Sequence, residues 1–233
     1  MPHNPIICAI DTADKSQAKS LIARLAPHVG HVKLGLEFFT RFGAEGVRET
    51  AGDAPLFLDL KFHDIPNTVA GAVRSATHTG CDLLTIHASG GSAMCRAAQD
   101  AAQEEAAKLG TPTPTLLAVT ILTSLDNAAI AEIGYQGDTQ SQVLRLAELA
   151  LNAGVPGLVC SPHEIAPIRK RFGNAPILVT PGIRPDGSNK DDQKRTMTPR
   201  EALDLGATHL VIGRPITGAP DPTHAAQDIL ASL

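Results

Sequence analysis

The chain has 233 residues, of which 43% are hydrophobic, and its formal net charge is −4. This size suits one large domain, and the charge is not that of a protein that binds nucleic acid or an anionic membrane surface through a basic face. The four cysteines form no C-x-x-C pair, no apolar run approaches the roughly 20 residues of a membrane span, and the first residues lack a signal-peptide pattern. A reduced, soluble, cytoplasmic protein is expected, with no nucleic-acid or membrane partner.

Eight short apolar runs predict parallel strands that are covered on both faces. The segments between them show helical spacing; Ala18, Ile22 and Leu25, for example, share one face of a helix. Eight alternations favour a single-domain (β/α)8 TIM barrel over residues 1–233, and the lack of G-x-G-x-x-G after the first run weighs against a doubly wound open sheet. The predicted strands are residues 6–11, 31–35, 56–62, 83–88, 115–122, 157–161, 177–183 and 209–216.

Helix boundaries are marked as well. Residues 198–201, Thr-Pro-Arg-Glu, have the pattern of a capping box with proline at the first helical position. The long segment 184–197 is typical either of a lid over a ligand or of a solvated loop. Glycines follow five helical stretches, where a left-handed residue would end the helix: Gly30, Gly80, Gly110, Gly154 and Gly206.

Charged residues interrupt the apolar pattern near the ends of the first three strands, where a barrel places its active site. Asp11 closes the first run and Lys33 lies within the second. In the third run, strict alternation puts Asp59 and Lys61 on one face, toward the barrel mouth, and the leucines on the other. Buried charges need partners, so Asp59, Lys61 and Lys33 are predicted to interact. Asp64 follows where this strand ends.

Such a cluster can have two meanings. One Asp–Lys pair alone is more often a buried ion pair that only stabilises the fold. Several charges of both signs on the mouth side of adjacent strands favour an active site instead.

A second cluster is predicted after strands seven and eight. Residues 181–184 (Pro-Gly-Ile-Arg) and 212–215 (Ile-Gly-Arg-Pro) each place glycine and arginine at a strand end. Backbone N–H groups beside a guanidinium bind phosphate well, and barrels often bind phosphate after these two strands. The alternative is a glycine turn with a surface arginine.

Residues 58–68, Leu-Asp-Leu-Lys-Phe-His-Asp-Ile-Pro-Asn-Thr, resemble the signature of the orotidine 5′-phosphate decarboxylase family of bacterial type. The D-x-K-x-x-D core alone is shared with related sugar-phosphate barrels, but its extension to Thr68 is specific. The resemblance implies decarboxylation of orotidine 5′-phosphate to uridine 5′-phosphate (UMP) and CO2, the last step of de novo pyrimidine nucleotide synthesis, without cofactor or metal. Further matches run in family order along the chain: Asp11, Lys33, 122–124, 180–184, Gln193 and 212–216.

The resemblance also implies roles for the matched residues. Lys61 would stabilise and then protonate the carbon that loses CO2, and Asp59 would lie beside the scissile carboxylate. Asp64 and Thr68 would reach the active site of a neighbouring subunit in a homodimer. The remaining contacts would be made by Asp11 and Lys33 to the ribose, by Thr123 and Ser124 to the pyrimidine, and by Arg184, Gln193, Gly213 and Arg214 to the phosphate.

Three other functions compete with this one. The nearest is a Mg²⁺-dependent phosphosugar lyase of the same superfamily, such as a 3-keto-gulonate-phosphate decarboxylase or a hexulose-phosphate synthase. Ribulose-phosphate epimerases carry histidine ligands near strands two and three, where this chain has Lys33 and Lys61. A non-catalytic sensor of phosphate ligands would not need two lysines and two carboxylates at the reacting end.

Overall fold

In the computed structural model, which describes residues 4–185 and 196–233, eight parallel strands close into a barrel in chain order. Every strand pairs with its sequence neighbours, and the first pairs with the last. The predicted (β/α)8 TIM barrel is confirmed. The strands are β1 (Ile6–Ala9), β2 (His31–Gly35), β3 (Leu56–Phe62), β4 (Leu83–His87), β5 (Thr115–Val119), β6 (Gly157–Val159), β7 (Ile177–Thr180) and β8 (His209–Ile212).

Six of the eight strands end earlier than the apolar runs predict. Ile121, Ile183 and Ile216 lie beyond the strand ends but are buried. The apolar runs therefore continue past the strands, because the segments that follow them at the barrel mouth also pack against the core.

Helices cover the outside of the barrel. The described residues form α1 (Lys15–Leu25), α2 (Leu36–Ala51, kinked at Gly43), α3 (Pro66–Thr77), α4 (Gly91–Leu109), α5 (Asn127–Glu132), α6 (Thr139–Asn152), α7 (Ile165–Phe172), α8 (Pro199–Asp204), α9 (Arg214–Thr217) and α10 (Pro222–Ala231). None of these helices is both long enough and apolar enough to cross a membrane.

The core has two parts, one between the sheet and the helices and one inside the barrel. The leucines Leu56, Leu58 and Leu60 of β3 belong to the outer part, whereas Phe57 packs inside the barrel. The two predicted faces of β3 are thus confirmed for Leu56, Phe57, Leu58 and Leu60. Burial of one such side chain stabilises the fold by about 1.5–3 kcal/mol. The inner part consists of Ile7, Phe57, Leu83, Leu117 and Val179, with Val159, Ile177 and Val211 against it.

The predicted helix boundaries are confirmed with one exception. The capping box at the start of α8 is present, and Gly80, Gly110, Gly154 and Gly206 have positive φ angles. Gly30 is not among the glycines with positive φ, so its prediction as a left-handed stop is wrong. A side chain is excluded there for another reason: a Cβ on Gly30 would lie 2.1 Å from the backbone oxygen of Asn4.

Strand β3 departs from regular geometry just before it ends. Leu58 pairs with Leu84 and Phe62 with Ile86, so that three residues, 59–61, stand opposite Thr85 alone. Within the bulge Lys61 has φ 51°, and it is the one non-glycine residue with positive φ in the described parts of the chain. The direction of the Lys61 side chain is therefore set by a bulge, and not by the strict alternation that the sequence suggested.

Candidate active site

A cavity of about 310 Å³ opens at the carboxyl ends of the strands. Its apolar lining is Phe57, Val159, Val179 and Val211, which continue the core inside the barrel. The cavity lies at the end of a barrel where active sites are built. Eight of the sequence-predicted site residues line it: Asp11, Lys33, Asp59, Lys61, Thr123, Arg184, Gly213 and Arg214.

Four of these residues form a chain of alternating charge. Lys61 Nζ lies 2.7 Å from Asp59 Oδ1, and Lys33 Nζ lies 3.3 Å from Asp59 Oδ2. Lys33 Nζ is also 3.5 Å from Asp11 Oδ1. Each carboxylate oxygen of Asp59 thus faces its own ammonium group. In the described residues, no group of three or more His, Cys, Asp or Glu side chains is arranged to hold a metal ion.

The charge network runs from the protein interior to the solvent. Side-chain exposure is 10% for Lys33 and 14% for Asp59, but 29% for Lys61 and 68% for Asp11. Burial by itself would raise the pKa of the Asp59 carboxyl, yet Lys33, Lys61 and hydrogen bonds from Lys61 and Thr85 together hold that pKa below its usual value. Asp59 is therefore ionised at neutral pH in spite of its burial.

Thr85 of β4 connects the backbone of Lys61 to the side chain of Asp59. The Lys61 N–H donates to Thr85 Oγ1 at 2.8 Å, and this hydroxyl donates to Asp59 Oδ1 at 2.9 Å. Thr85 is not among the residues predicted from the sequence, although a hydroxyl within an otherwise apolar buried strand is a signal that could have identified it.

His87, at the end of β4, lies close to this network. Its ring centroid is 5.3 Å from that of His63. Burial, the nearby His63 ring and the Lys61 ammonium group lower the pKa of His87 to about 4, against the opposing effect of Asp59. His87 is thus neutral at neutral pH and adds no charge to the network.

The opposite side of the mouth, beyond β7 and β8, is built from turns. Gly182 has φ 80°, a conformation that favours glycine, and it turns the chain after β7. Ile183 then bridges to Met197, and the Arg184 N–H donates to the Met197 carbonyl oxygen at 3.0 Å. These contacts bring the two ends of the 184–197 segment together beside the cavity.

Arg214 lies on the same side, two residues after the end of β8, as the first residue of the short helix α9. Gly213 precedes it and approaches the charge network, since a Cβ built there would be 4.0 Å from Asp11 Oδ2. The ionisable groups that line the cavity are two carboxylates and four cations, Lys33, Lys61, Arg184 and Arg214. The excess of positive charge suits an anionic ligand.

Four predicted site residues are not in the cavity lining. Asp64 and Thr68 lie in an exposed stretch, 63–68, and the Asp64 carboxylate accepts a hydrogen bond from the Ile65 N–H at 2.6 Å. Ser124 is exposed next to the lining residue Thr123. Gln193 lies outside the described residues.

Known proteins resemble this chain over almost its whole length. A model of the "Orotidine 5′-phosphate decarboxylase / HUMPS family" matches residues 4–229. The orotidine 5′-phosphate decarboxylases of Moorella thermoacetica and Rhodospirillum rubrum are each 52% identical to it, over 98% and 100% of this chain and 91% and 95% of theirs. A crystal structure of the same enzyme from Lactobacillus acidophilus superimposes with a TM-score of 0.84 at 36% identity, covering 97% of both chains.

Proposed function

The chain belongs to the orotidine 5′-phosphate decarboxylase / HUMPS family, and we propose that it converts orotidine 5′-phosphate to UMP and CO2. It is a carboxy-lyase of pyrimidine nucleotide synthesis, with residues 1–233 as one catalytic domain and the cytoplasm as its location. The observation that carries this proposal is the cavity itself, which has a buried Asp–Lys network on one side and two arginines on the other.

Lys61 is the proton donor in this proposal. Loss of CO2 leaves an electron pair in the plane of an sp² carbon, where no π system can delocalise it. An ammonium group held at that carbon stabilises the developing negative charge and then transfers one proton to it. The C–C bond is replaced by a C–H bond, and Lys61 regains its proton from water. Its contact with Asp59 orients the ammonium group within the cavity.

Asp59 has two tasks. Its carboxylate holds both Lys33 and Lys61, and it lies beside the carboxylate of the bound substrate. Repulsion between these two carboxylates would raise the energy of the bound substrate, and loss of CO2 would relieve it. The low pKa of Asp59 supports this role, because only the ionised form orients both lysines.

The phosphate of the substrate is bound on the other side of the mouth. Arg184, Arg214 and the backbone at Gly213 contact it, together with Gln193. The guanidinium groups offer charge-assisted hydrogen bonds, which are roughly twice as strong as neutral ones. The Arg184 N–H also donates to the Met197 carbonyl oxygen, so the phosphate would bind beside the contact that joins residues 184 and 197.

The remainder of the nucleotide lies between these two sides. Asp11 and Lys33 bind the ribose hydroxyls. Lys33 contacts both Asp59 and Asp11, and Asp11 lies near Gly213, so these two residues connect the reacting side of the mouth to the phosphate side. Thr123 and Ser124, after β5, contact the pyrimidine.

The active enzyme is a homodimer that shares its sites. Asp64 and Thr68 lie outside the cavity of their own chain, on an exposed stretch that also presents Ile65, with 67% of its surface exposed. Their exposure outside their own cavity leaves both polar side chains accessible to a neighbouring subunit. We therefore assign Asp64 and Thr68 to the site of the partner subunit.

Hybrid dimers test this assignment. Lys61→Ala and Asp64→Ala chains are each expected to be nearly inactive, but a hybrid of the two contains one site with neither change. Mixing them should restore up to about a quarter of the wild-type activity per chain, because half of the dimers are hybrids and each has one intact site. No recovery, with subunit exchange verified by differently tagged chains, would contradict a shared site.

The activity is tested by incubating the purified protein with orotidine 5′-phosphate. We expect the absorbance of the substrate to fall and one CO2 to be released for each UMP formed. A protein that binds the nucleotide without releasing CO2 would instead be the phosphate-ligand sensor. Release of formaldehyde or of a pentulose phosphate from a phosphosugar would favour the related lyases.

A further inference from the structure

We propose that Thr85 is a positioning residue whose single hydroxyl aims the Lys61 ammonium group by holding the Lys61 backbone and the Asp59 carboxylate together. The inference rests on the proposed decarboxylation and identifies what keeps its proton donor in place. Thr85 does not line the cavity, so it acts through its two partners and not on the substrate.

At the bulge in β3, the Thr85 hydroxyl accepts a hydrogen bond that a backbone carbonyl oxygen accepts elsewhere in the barrel. Residues 59–61 stand opposite Thr85 alone, so the regular pairing with β4 is interrupted there. The Lys61 N–H, turned by the positive φ of this residue, donates to the Thr85 hydroxyl. The hydroxyl thus provides the acceptor that the bulge removes from the ladder, and an apolar residue at position 85 could not do so.

The proton of the hydroxyl can point in only one direction. Thr85 Oγ1 accepts from the Lys61 N–H, and its own proton is donated to Asp59 Oδ1. The same carboxylate oxygen accepts from Lys61 Nζ. The backbone N–H of Lys61, the Thr85 hydroxyl, the Asp59 carboxylate and the Lys61 ammonium group therefore form a closed ring. The Thr85 hydroxyl thus holds the Lys61 backbone N–H directly and the Lys61 ammonium group through Asp59.

Burial makes this arrangement rigid. Thr85 is 1% exposed, and its neighbours Leu84 and Ile86 are fully buried. Water cannot easily replace a hydroxyl lost at such a site, and removal leaves the Lys61 N–H without that acceptor. A valine has nearly the shape of threonine, so Thr85→Val removes the ring with little change in packing.

Thr85→Val, Thr85→Ser and Thr77→Val are the informative variants. Thr77 of α3 is a matched control, because it is also buried and its hydroxyl donates to the Val73 carbonyl oxygen at 2.9 Å. We expect Thr85→Val to lower kcat by about 10- to 100-fold, the scale of lost hydrogen bonds to a charged group. Affinity for UMP should stay within about threefold, a minor change on this scale. Thr85→Ser and Thr77→Val should keep kcat near that of the wild type.

The pH dependence separates positioning from a general loss of structure. The Thr85 hydrogen bond is one of the interactions that lower the pKa of Asp59. Without it, the acid limb of the kcat profile should move to higher pH in Thr85→Val but not in Thr85→Ser or Thr77→Val. If Thr85→Val does not fold, Thr85→Ala gives the same comparison, with folding verified by circular dichroism.

Two results would overturn the inference. One is a folded hydroxyl-free variant with the kcat and acid limb of the wild type. The other is a Thr85→Ser variant that is as impaired as Thr85→Val. Failure of the proposed function is distinguishable, because the wild-type protein itself would then release no CO2 from orotidine 5′-phosphate.

Discussion

The two sides of the barrel mouth carry similar numbers of cations but are built differently. On the β1–β3 side, Lys33 and Lys61 contact two carboxylates, and Lys33, Asp59 and Lys61 lie on strands, with Thr85 hydrogen-bonded to the latter two. On the β7–β8 side, Arg184 and Arg214 follow turns. Chemistry needs a fixed geometry, which strands provide, whereas binding of a phosphate can use turns whose backbone also contributes. In the proposed function, catalysis therefore belongs to the first side and phosphate anchoring to the second.

Removing Lys61 should have the largest effect. Without the ammonium group the reaction loses both its electrostatic stabilisation and its proton donor, so Lys61→Ala should lower kcat by about 10⁴-fold or more. UMP affinity, measured by calorimetry, should change far less. Lys108→Ala is a matched control, because Lys108 is exposed, pairs with Glu105 on α4 and does not line the cavity. If Lys61→Ala kept a tenth of the activity, Lys61 could not be the proton donor.

Removing an arginine from the other side should affect binding first. Arg214→Ala should weaken UMP binding by about 10- to 100-fold, the scale of a lost charged hydrogen bond, and leave uridine binding almost unchanged. Arg171→Ala provides the control, since this exposed arginine pairs with Glu148 and does not line the cavity. Equal losses for UMP and uridine would show that Arg214 does not act through phosphate.

The charge network should also make stability depend on pH. The pKa of Asp59 is lowered in the folded protein, so its contribution to stability is present above its unfolded pKa and is lost as pH falls through the folded value. The difference in unfolding free energy between the wild type and Asp59→Asn should therefore shrink as the pH is lowered from 6 through the carboxyl range. Urea titrations at several pH values measure it, and a difference that is constant with pH would contradict the ionised network.

The turn at Gly182 should give the smallest effect. Alanine is strained at φ 80°, so Gly182→Ala should cost about 1 kcal/mol of stability and raise KM a few-fold by displacing Arg184. Gly71→Ala is a control of opposite sign, because Gly71 lies within α3 and a Cβ there meets nothing within 4 Å. Unchanged stability and KM in Gly182→Ala would show that the turn does not position Arg184 for phosphate binding.

The sequence predicted the β1–β3 side of the mouth only in part. Continuous apolar runs and the alternation along residues 56–60 were enough to predict the barrel and the direction of Asp59, because burial imposes a simple period on a strand. The bulge at Lys61 could not be predicted, since it depends on pairing with β4. Asp64 shows the same limit: it lies past the strand, and its partners in the proposed dimer belong to another chain.

Turnover without divalent metal tests the central claim most directly. If Lys61 and Asp59 carry the catalysis, the protein that has been treated with EDTA and freed of metal should decarboxylate orotidine 5′-phosphate at the untreated rate. Added Mg²⁺ should not increase that rate. An inactive metal-free protein that recovers when Mg²⁺ is returned would contradict the account and favour a metal-dependent lyase of the same superfamily.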